Sequence, residues 1–399
     1  MNKFDIVIVG AGIIGAATAW QLQQDYPAKK ILLLEKEKAP GLHQTGRNSG
    51  VIHAGVYYPA NSLKSQYCKQ GLTQTIEFCR RYQLPYLQCG KLLVATEENE
   101  LPRMHELFTR CQQNKLSPIL LDEKELKQRE PNIRGLAGMY VKQTAITDYS
   151  AITQTLIRLF RDAGGIFACN QKVEGLHENV KSLKVVTQNE RFETQQLVNC
   201  SGLMTDRIIS LLGIPLDFQI LPFRGEYFKL PNKYNALVNH LIYPIPDPTL
   251  PFLGVHLTRM IDGSVCVGPN AVLAMAREGY KKSDFSLKDS IELLRFKGLP
   301  GLAKNHARNA LLEMKNSWFK RGYLHKVQRY CPQIQLRDLL PYPSGIRAQA
   351  VSNSGELIHD FKFVETTRSL HVANAPSPAA TSALPIAKHI SQVLSHRWA

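Results

Sequence analysis

Three glycines, and an acid twenty positions beyond the last of them, are the first residues of this chain whose types and spacing can do chemistry. Gly10-Ala11-Gly12-Ile13-Ile14-Gly15 fits GxGxxG. Gly10 allows a tight turn, Gly12 lets the backbone approach a pyrophosphate, and Gly15 lets a following helix lie close to a strand. Glu35 can accept hydrogen bonds from a ribose hydroxyl, and an acid there favours a ribose without a 2′-phosphate. The elements that must position these residues surround them. Phe4-Asp5-Ile6-Val7-Ile8-Val9 reads as a buried parallel strand, 16–22 as a helix, and Ile31-Leu32-Leu33-Leu34 as a second strand ending at Glu35. A lone GxGxxG is a weak signal; the complete order of strand, glycines, helix, strand and acid is a strong one.

The second set of chemical residues follows Glu35 and Lys36. His43, Thr45, Arg47, Asn48 and Ser49 lie in a segment of small and polar residues that runs on through His53 to Tyr57 and Tyr58. Such a backbone can pass close to a flat heterocycle. Two further nucleotide-type segments come much later: Leu197-Val198-Asn199-Cys200-Ser201-Gly202, and 368–381 with Ser377, Ala379, Ala380 and Thr381 at a helix start. An NAD dehydrogenase builds its second βαβ half soon after the first. Nucleotide-facing segments spread over the whole chain instead suit an extended dinucleotide, which points to FAD.

Size and composition agree. A chain of 399 residues suits two domains rather than one core. The eight cysteines form no CxxC or CxxCH, so no metal or haem signature is present, and a reduced, cytoplasmic protein is expected. No secretory signal or spanning run is evident. The net charge of +16 is the outlier. It fits an anionic membrane surface, an acidic substrate or plain solubility; no nucleic-acid module accompanies it, so no nucleic-acid partner is expected. Many of the cations lie in 281–329, interleaved with Leu, Phe and Trp, as on a helix resting on an anionic bilayer or on an ordinary amphipathic helix with a basic outer face.

The run from His43 to Tyr58 resembles the signature of the L-2-hydroxyglutarate oxidases and dehydrogenases, a group within the D-amino-acid oxidase and glycerol-3-phosphate dehydrogenase superfamily. The resemblance continues through Cys89-Gly90-Lys91, Pro222-Phe223-Arg224-Gly225-Glu226-Tyr227, 239–246, 254–263, Gly268-Pro269-Asn270-Ala271, Gly345-Ile346-Arg347-Ala348-Gln349 and 374–381. It covers essentially the full chain and is closest to the bacterial membrane-associated members. One departure is Arg47, where many relatives carry His or Asn.

This likeness implies a mixed α/β fold, a glutathione-reductase-like Rossmann FAD domain with an antiparallel-sheet substrate domain. Residues 1–85, 145–220 and 335–399 are expected to build the discontinuous FAD domain. Residues 86–144 and 221–334 are expected to form the substrate domain, with the basic helical insertion at 281–329. Val173 and Gly345 join the FAD-contacting set, and the flavin is expected to be held non-covalently.

The implied reaction oxidises L-2-hydroxyglutarate to 2-oxoglutarate, with electrons passed to a membrane quinone or oxygen. A location in the cytoplasm, peripheral on the inner face of the cell membrane, goes with a quinone. Hydride leaves the substrate carbon while a base takes the hydroxyl proton. His53 is the first candidate for base and a flavin-orienting histidine is the equal alternative; His256 is second. A dicarboxylate needs cationic clamps, for which Arg259 and Arg347 are the candidates, with Arg224 and Lys91 behind them and Tyr57 and Tyr243 closing the pocket. The rival readings are a flavin oxidase of an amino acid or another 2-hydroxy acid, and a non-catalytic basic flavoprotein.

Overall fold

The computed structural model describes residues 2–247 and 254–397. With four prolines, the run 243–251 reads as a rigid loop, and its Pro248 and Pro251 lie outside the described residues. Asn2–Val9, whose last six residues are mostly buried, runs through the middle of an eight-stranded sheet. Arg191–Asn199 and Ile31–Leu34 flank it in parallel, with Ser369–Asn374 parallel beyond the first and Ile166–Ala168 beyond the second. Helices Ile13–Asp25, Tyr149–Asp162 and Ala383–Ser395 cover this sheet, and their buried Ala16, Ala19, Leu156, Ile386 and Ile390 share one core. Five parallel strands therefore end at one edge, at Val9, Leu34, Ala168, Asn199 and Asn374, which is where open α/β sheets bind ligands.

A second sheet has nine strands. Phe218–Lys229 pairs antiparallel with Leu340–Ser352 along nearly its whole length. The rest is antiparallel too, except that Lys91–Ala95 and Leu241–Pro244 run parallel. Val51–Ile52, Tyr86–Leu87 and Ala145–Thr147 make a small third sheet. One expected boundary moves. Residues 340–352 belong to the second sheet rather than to the nucleotide unit, because a strand at the junction can present Gly345 to the cavity while its hydrogen bonds go to Phe218–Lys229.

The basic segment forms three helices, Leu287–Arg295, Leu299–Trp318 and Lys320–Gln328, and 281–286 precedes the first of them, with the Ser286 side chain capping it. In Leu299–Trp318 only Leu302 and Ser317 are buried. No helix among the described residues is long and apolar enough to cross a membrane.

Candidate active site

A single cavity of about 1370 Å³ runs from the carboxyl edge of the parallel sheet to the face of the second sheet. That exceeds the ~300–1,000 Å³ of a drug-sized ligand site and suits a dinucleotide plus a small acid. Gly10, Gly12, Glu35, Lys36, His43, Thr45, Arg47, Asn48, Ser49, Val173, Ser201, Gly202, Gly345, Ser377, Ala379, Ala380 and Thr381 all line it, as do His53, His256, Arg347, Tyr57 and Tyr243. Gly15 does not, and its expected packing role explains why: a Cβ there would come within 1.8 Å of the Gly10 carbonyl oxygen. Gly10 itself has φ +97°, and a Cβ on it would meet the Cys200 carbonyl oxygen at 2.7 Å. Only glycine lets these two backbones touch.

At the nucleotide end, the Ala11 and Glu37 N–H groups donate to the two oxygens of Glu35, at 2.8 and 3.0 Å, and aim that carboxylate along the cavity wall. Thr45 Oγ1 accepts the Ile13 N–H, securing the start of the glycine-loop helix. Asn48 closes its own loop, donating to the Gln44 and Thr45 carbonyls and accepting the Gly50 N–H. The Lys36 ammonium lies 2.5 Å from Glu37 and 2.7 Å from Glu278, with His43 Nε2 at 3.2 Å. Glu37, His43 and Glu278 are spaced to hold a cation, and Lys36 supplies one. These carboxylates hold Lys36 above its ordinary pKa despite burial, and Lys36 and His43 hold Glu37 below its own. Arg47 stacks 3.9 Å over the ring of Tyr280, which also bonds His43. Glu278 and Tyr280 were not foreseen; they lie in 274–280, where no spacing marks them.

The carboxy-terminal loop is tied to the flavin-facing segment through Thr381, whose Oγ1 accepts the His53 N–H at 3.0 Å and lies 3.0 Å from the Tyr149 hydroxyl. His53 is half-buried, and its ring nitrogens make no hydrogen bond within the described residues, which leaves them to a ligand. Burial, then the charges of Lys91, His256 and Arg347, hold its pKa well below the histidine range. His256 is 4% exposed and is lowered by burial to about 3, against the pull of the Gly254 carbonyl. When neutral, His256 must carry its proton on Nδ1, which meets Gly254 O at 3.1 Å, so Nε2 keeps a lone pair. Two neutral imidazoles thus line one cavity with an arginine, Arg347.

Arg259 is not brought there. It is three residues beyond His256 in the same strand, so the two side chains leave opposite faces, and Arg259 acts on Cys89 instead. Arg224 is used elsewhere too, in a buried pair with Glu226 at 3.2 Å. The cavity gains a cation that sequence reasoning passed over. Lys64, half-buried over Tyr58, is lowered to about 8 by burial, opposed by the Asp360 charge.

Residues 5–393 match the family described as FAD dependent oxidoreductase. The chain is 53% identical over 388 residues to L-2-hydroxyglutarate dehydrogenase of Escherichia coli strain K12, covering 97% of this chain and 92% of that one. It is 40% identical over 415 residues to the mitochondrial L-2-hydroxyglutarate dehydrogenase of Homo sapiens, covering 100% and 90%. Among solved structures, dithionite-reduced L-α-glycerophosphate oxidase from Mycoplasma pneumoniae, with FAD bound, superposes at a TM-score of 0.80. Identity there is 21%, over 99% of this chain and 95% of that one, a likeness of fold. Fold and cavity together define a flavoprotein oxidoreductase. The chain belongs to the FAD-dependent oxidoreductase family, in the group formed by the L-2-hydroxyglutarate dehydrogenases. The residues present fit the cofactor: the glycine cradle has no space for side chains, and the cavity continues from Glu35 to the two histidines.

Proposed function

We propose that this chain oxidises L-2-hydroxyglutarate to 2-oxoglutarate. The observation that carries the reading is the meeting of neutral His53, neutral His256 and Arg347 in one cavity continuous with the dinucleotide cradle. The names of the curated relatives support the choice of acid. Gly10, Gly12, Glu35, the 43–49 loop, Ser201, Gly202, Gly345 and 377–381 would hold FAD, which when bound supplies a hydride acceptor. Arg347 holds the carboxylate next to the reacting carbon through paired N–H bonds. His53, open to the cavity, takes the hydroxyl proton on a ring nitrogen. His256, whose Nε2 keeps its lone pair, is the alternative acceptor for that proton. The test is anaerobic addition of L- or D-2-hydroxyglutarate to the purified holoenzyme. Bleaching of the flavin band by the L form alone is the expected result, and bleaching by neither sinks the substrate.

The electron acceptor is a membrane quinone in this reading, reached from the inner face of the cell membrane. Its support is the outer surface of the helical insertion. Leu294, Leu311, Trp318 and Phe319 are 71, 67, 63 and 66% exposed, amid exposed Lys297, Lys304, Arg308, Lys315, Lys320 and Arg321. Apolar side chains ringed by cations suit an anionic bilayer surface.

A further inference from the structure

We infer that Lys91 and Tyr57 form a second carboxylate subsite, which receives the far carboxylate of a 2-hydroxy diacid and selects diacids over monoacids. The inference rests on the function proposed above, in which Arg347 holds the near carboxylate. Lys91 opens the strand Lys91–Ala95, next to Leu241–Pro244, which in turn neighbours His256–Arg259. Lys91, Tyr243 and His256 therefore follow one another across three adjacent strands. The Lys91 ammonium lies 4.0 Å from the Tyr243 ring centroid and 4.9 Å from that of Tyr57. His256 stacks on Tyr243 at 3.9 Å, and two groups this close to one ring must take its opposite faces. Tyr57, Tyr243 and His256 all line the cavity, with Lys91 behind the two tyrosines.

Lys91 is 1% exposed, and among the described residues it has neither a carboxylate partner nor a hydrogen bond. A buried charge left so is costly unless an anion joins it. The second observation is independent: the Tyr57 hydroxyl is buried and, among the described residues, has no hydrogen-bond partner. Buried donors without acceptors are rare enough to need a reason. A carboxylate answers both, accepting from the ammonium and from the phenol. Burial lowers Lys91 to about 8, which leaves it mostly charged at neutral pH, and an arriving anion strengthens that. Lys64, which lines the cavity itself, already has the Asp360 charge beside it.

Lys91→Met and Tyr57→Phe test this against two substrates of matched length, L-2-hydroxyglutarate and L-2-hydroxyvalerate, whose far end is a methyl group. Lys91→Met is expected to lower kcat/KM for the diacid roughly 10- to 100-fold, mainly through KM, and to collapse the diacid preference. Tyr57→Phe, which removes one oxygen, should cost about 10-fold in the same sense. Calorimetry with the non-reacting pair glutarate and butyrate reads binding without turnover, and only glutarate should weaken. Equal losses on both substrates, or unchanged glutarate binding, overturn the subsite. If Lys91→Met does not retain FAD, Tyr57→Phe decides alone. A wild-type enzyme with no diacid preference defeats the functional reading instead.

Discussion

Tyr243 and His256 stack face to face, their ring centroids 3.9 Å apart and their planes 14° from parallel, on paired strands of the second sheet. With Nδ1 on the Gly254 carbonyl, this contact fixes both the plane and the tautomer of the imidazole. It also makes His256 a pH liability. Burial holds its pKa at about 3, whereas the unfolded chain protonates near 6.5. The unfolded state thus binds the proton more tightly, so stability is complete above pH 6.5 and is lost as pH falls toward 3. His53 and His371 are lowered by burial as well and add with the same sign. Thermal unfolding of the holoenzyme should show Tm falling from pH 7 to pH 4, less steeply in His256→Gln. An equally steep fall in that variant counts against a buried neutral His256.

His53 is expected to act in turnover and not in cofactor retention. Its ring makes no hydrogen bond to the described residues, so His53→Ala removes no side-chain hydrogen bond, while the backbone bond to Thr381 stays. Flavin content should remain near one per chain, and kcat should fall ~10²- to 10⁴-fold, the usual contribution of a positioned acid–base group. The check is flavin absorbance beside stopped-flow reduction. Undiminished reduction removes His53 as the base and passes that role to His256.

The two arginines separate cleanly. Arg347→Met takes a guanidinium out of the cavity, and kcat/KM for the hydroxy acid should drop ~10²-fold or more, as when one partner of a charge-assisted pair is lost. Arg259→Met alters a residue outside the cavity lining and should leave kcat/KM within a few-fold of wild type. Steady-state kinetics on both variants decide it. A large loss in Arg259→Met alone would reverse the assignment.

What the sequence made legible follows from where its constraints are local. The GxGxxG loop, Glu35 and the flanking strands are specified within 35 residues, and backbone chemistry fixes each role, so even Gly15's packing task could be read in advance. Arg259 lies outside the cavity lining, and placing it required knowing which face of a four-residue strand looks inward, whereas a strand buried on both faces shows no alternation. Residues 340–352 were misplaced because a flavin-facing Gly345 says nothing about which sheet supplies the hydrogen bonds. Lys91 stood low because an isolated lysine is ordinarily a surface residue. Its burial arises from the meeting of 51–58 with two strands, which no local pattern encodes. Glu278 and Tyr280 reach His43 across more than 230 positions, again without a local signal.

The helical insertion gives the last prediction. Leu299–Trp318 buries little of its own apolar surface on the protein, so its exposed Leu311, Leu312, Met314 and Trp318 are available to another phase. Each basic residue near an anionic leaflet adds ~1 kcal/mol of attraction, screened within a Debye length. Sedimentation with vesicles of mixed anionic and neutral lipid should carry the protein down at low salt, and far less of it at 0.5 M salt or with neutral lipid alone. Leu311→Glu with Trp318→Glu puts acids on the apolar face without touching the cavity. Vesicle binding should then fall at least ~10-fold, as two large side chains lose their burial in lipid. Reduction of the flavin by substrate should be unchanged, while reoxidation by a vesicle-borne quinone slows. If the double variant still sediments with anionic vesicles, the cations alone attract the membrane; if wild type never does, the insertion is a solvated cap and the acceptor reaches the flavin from solution.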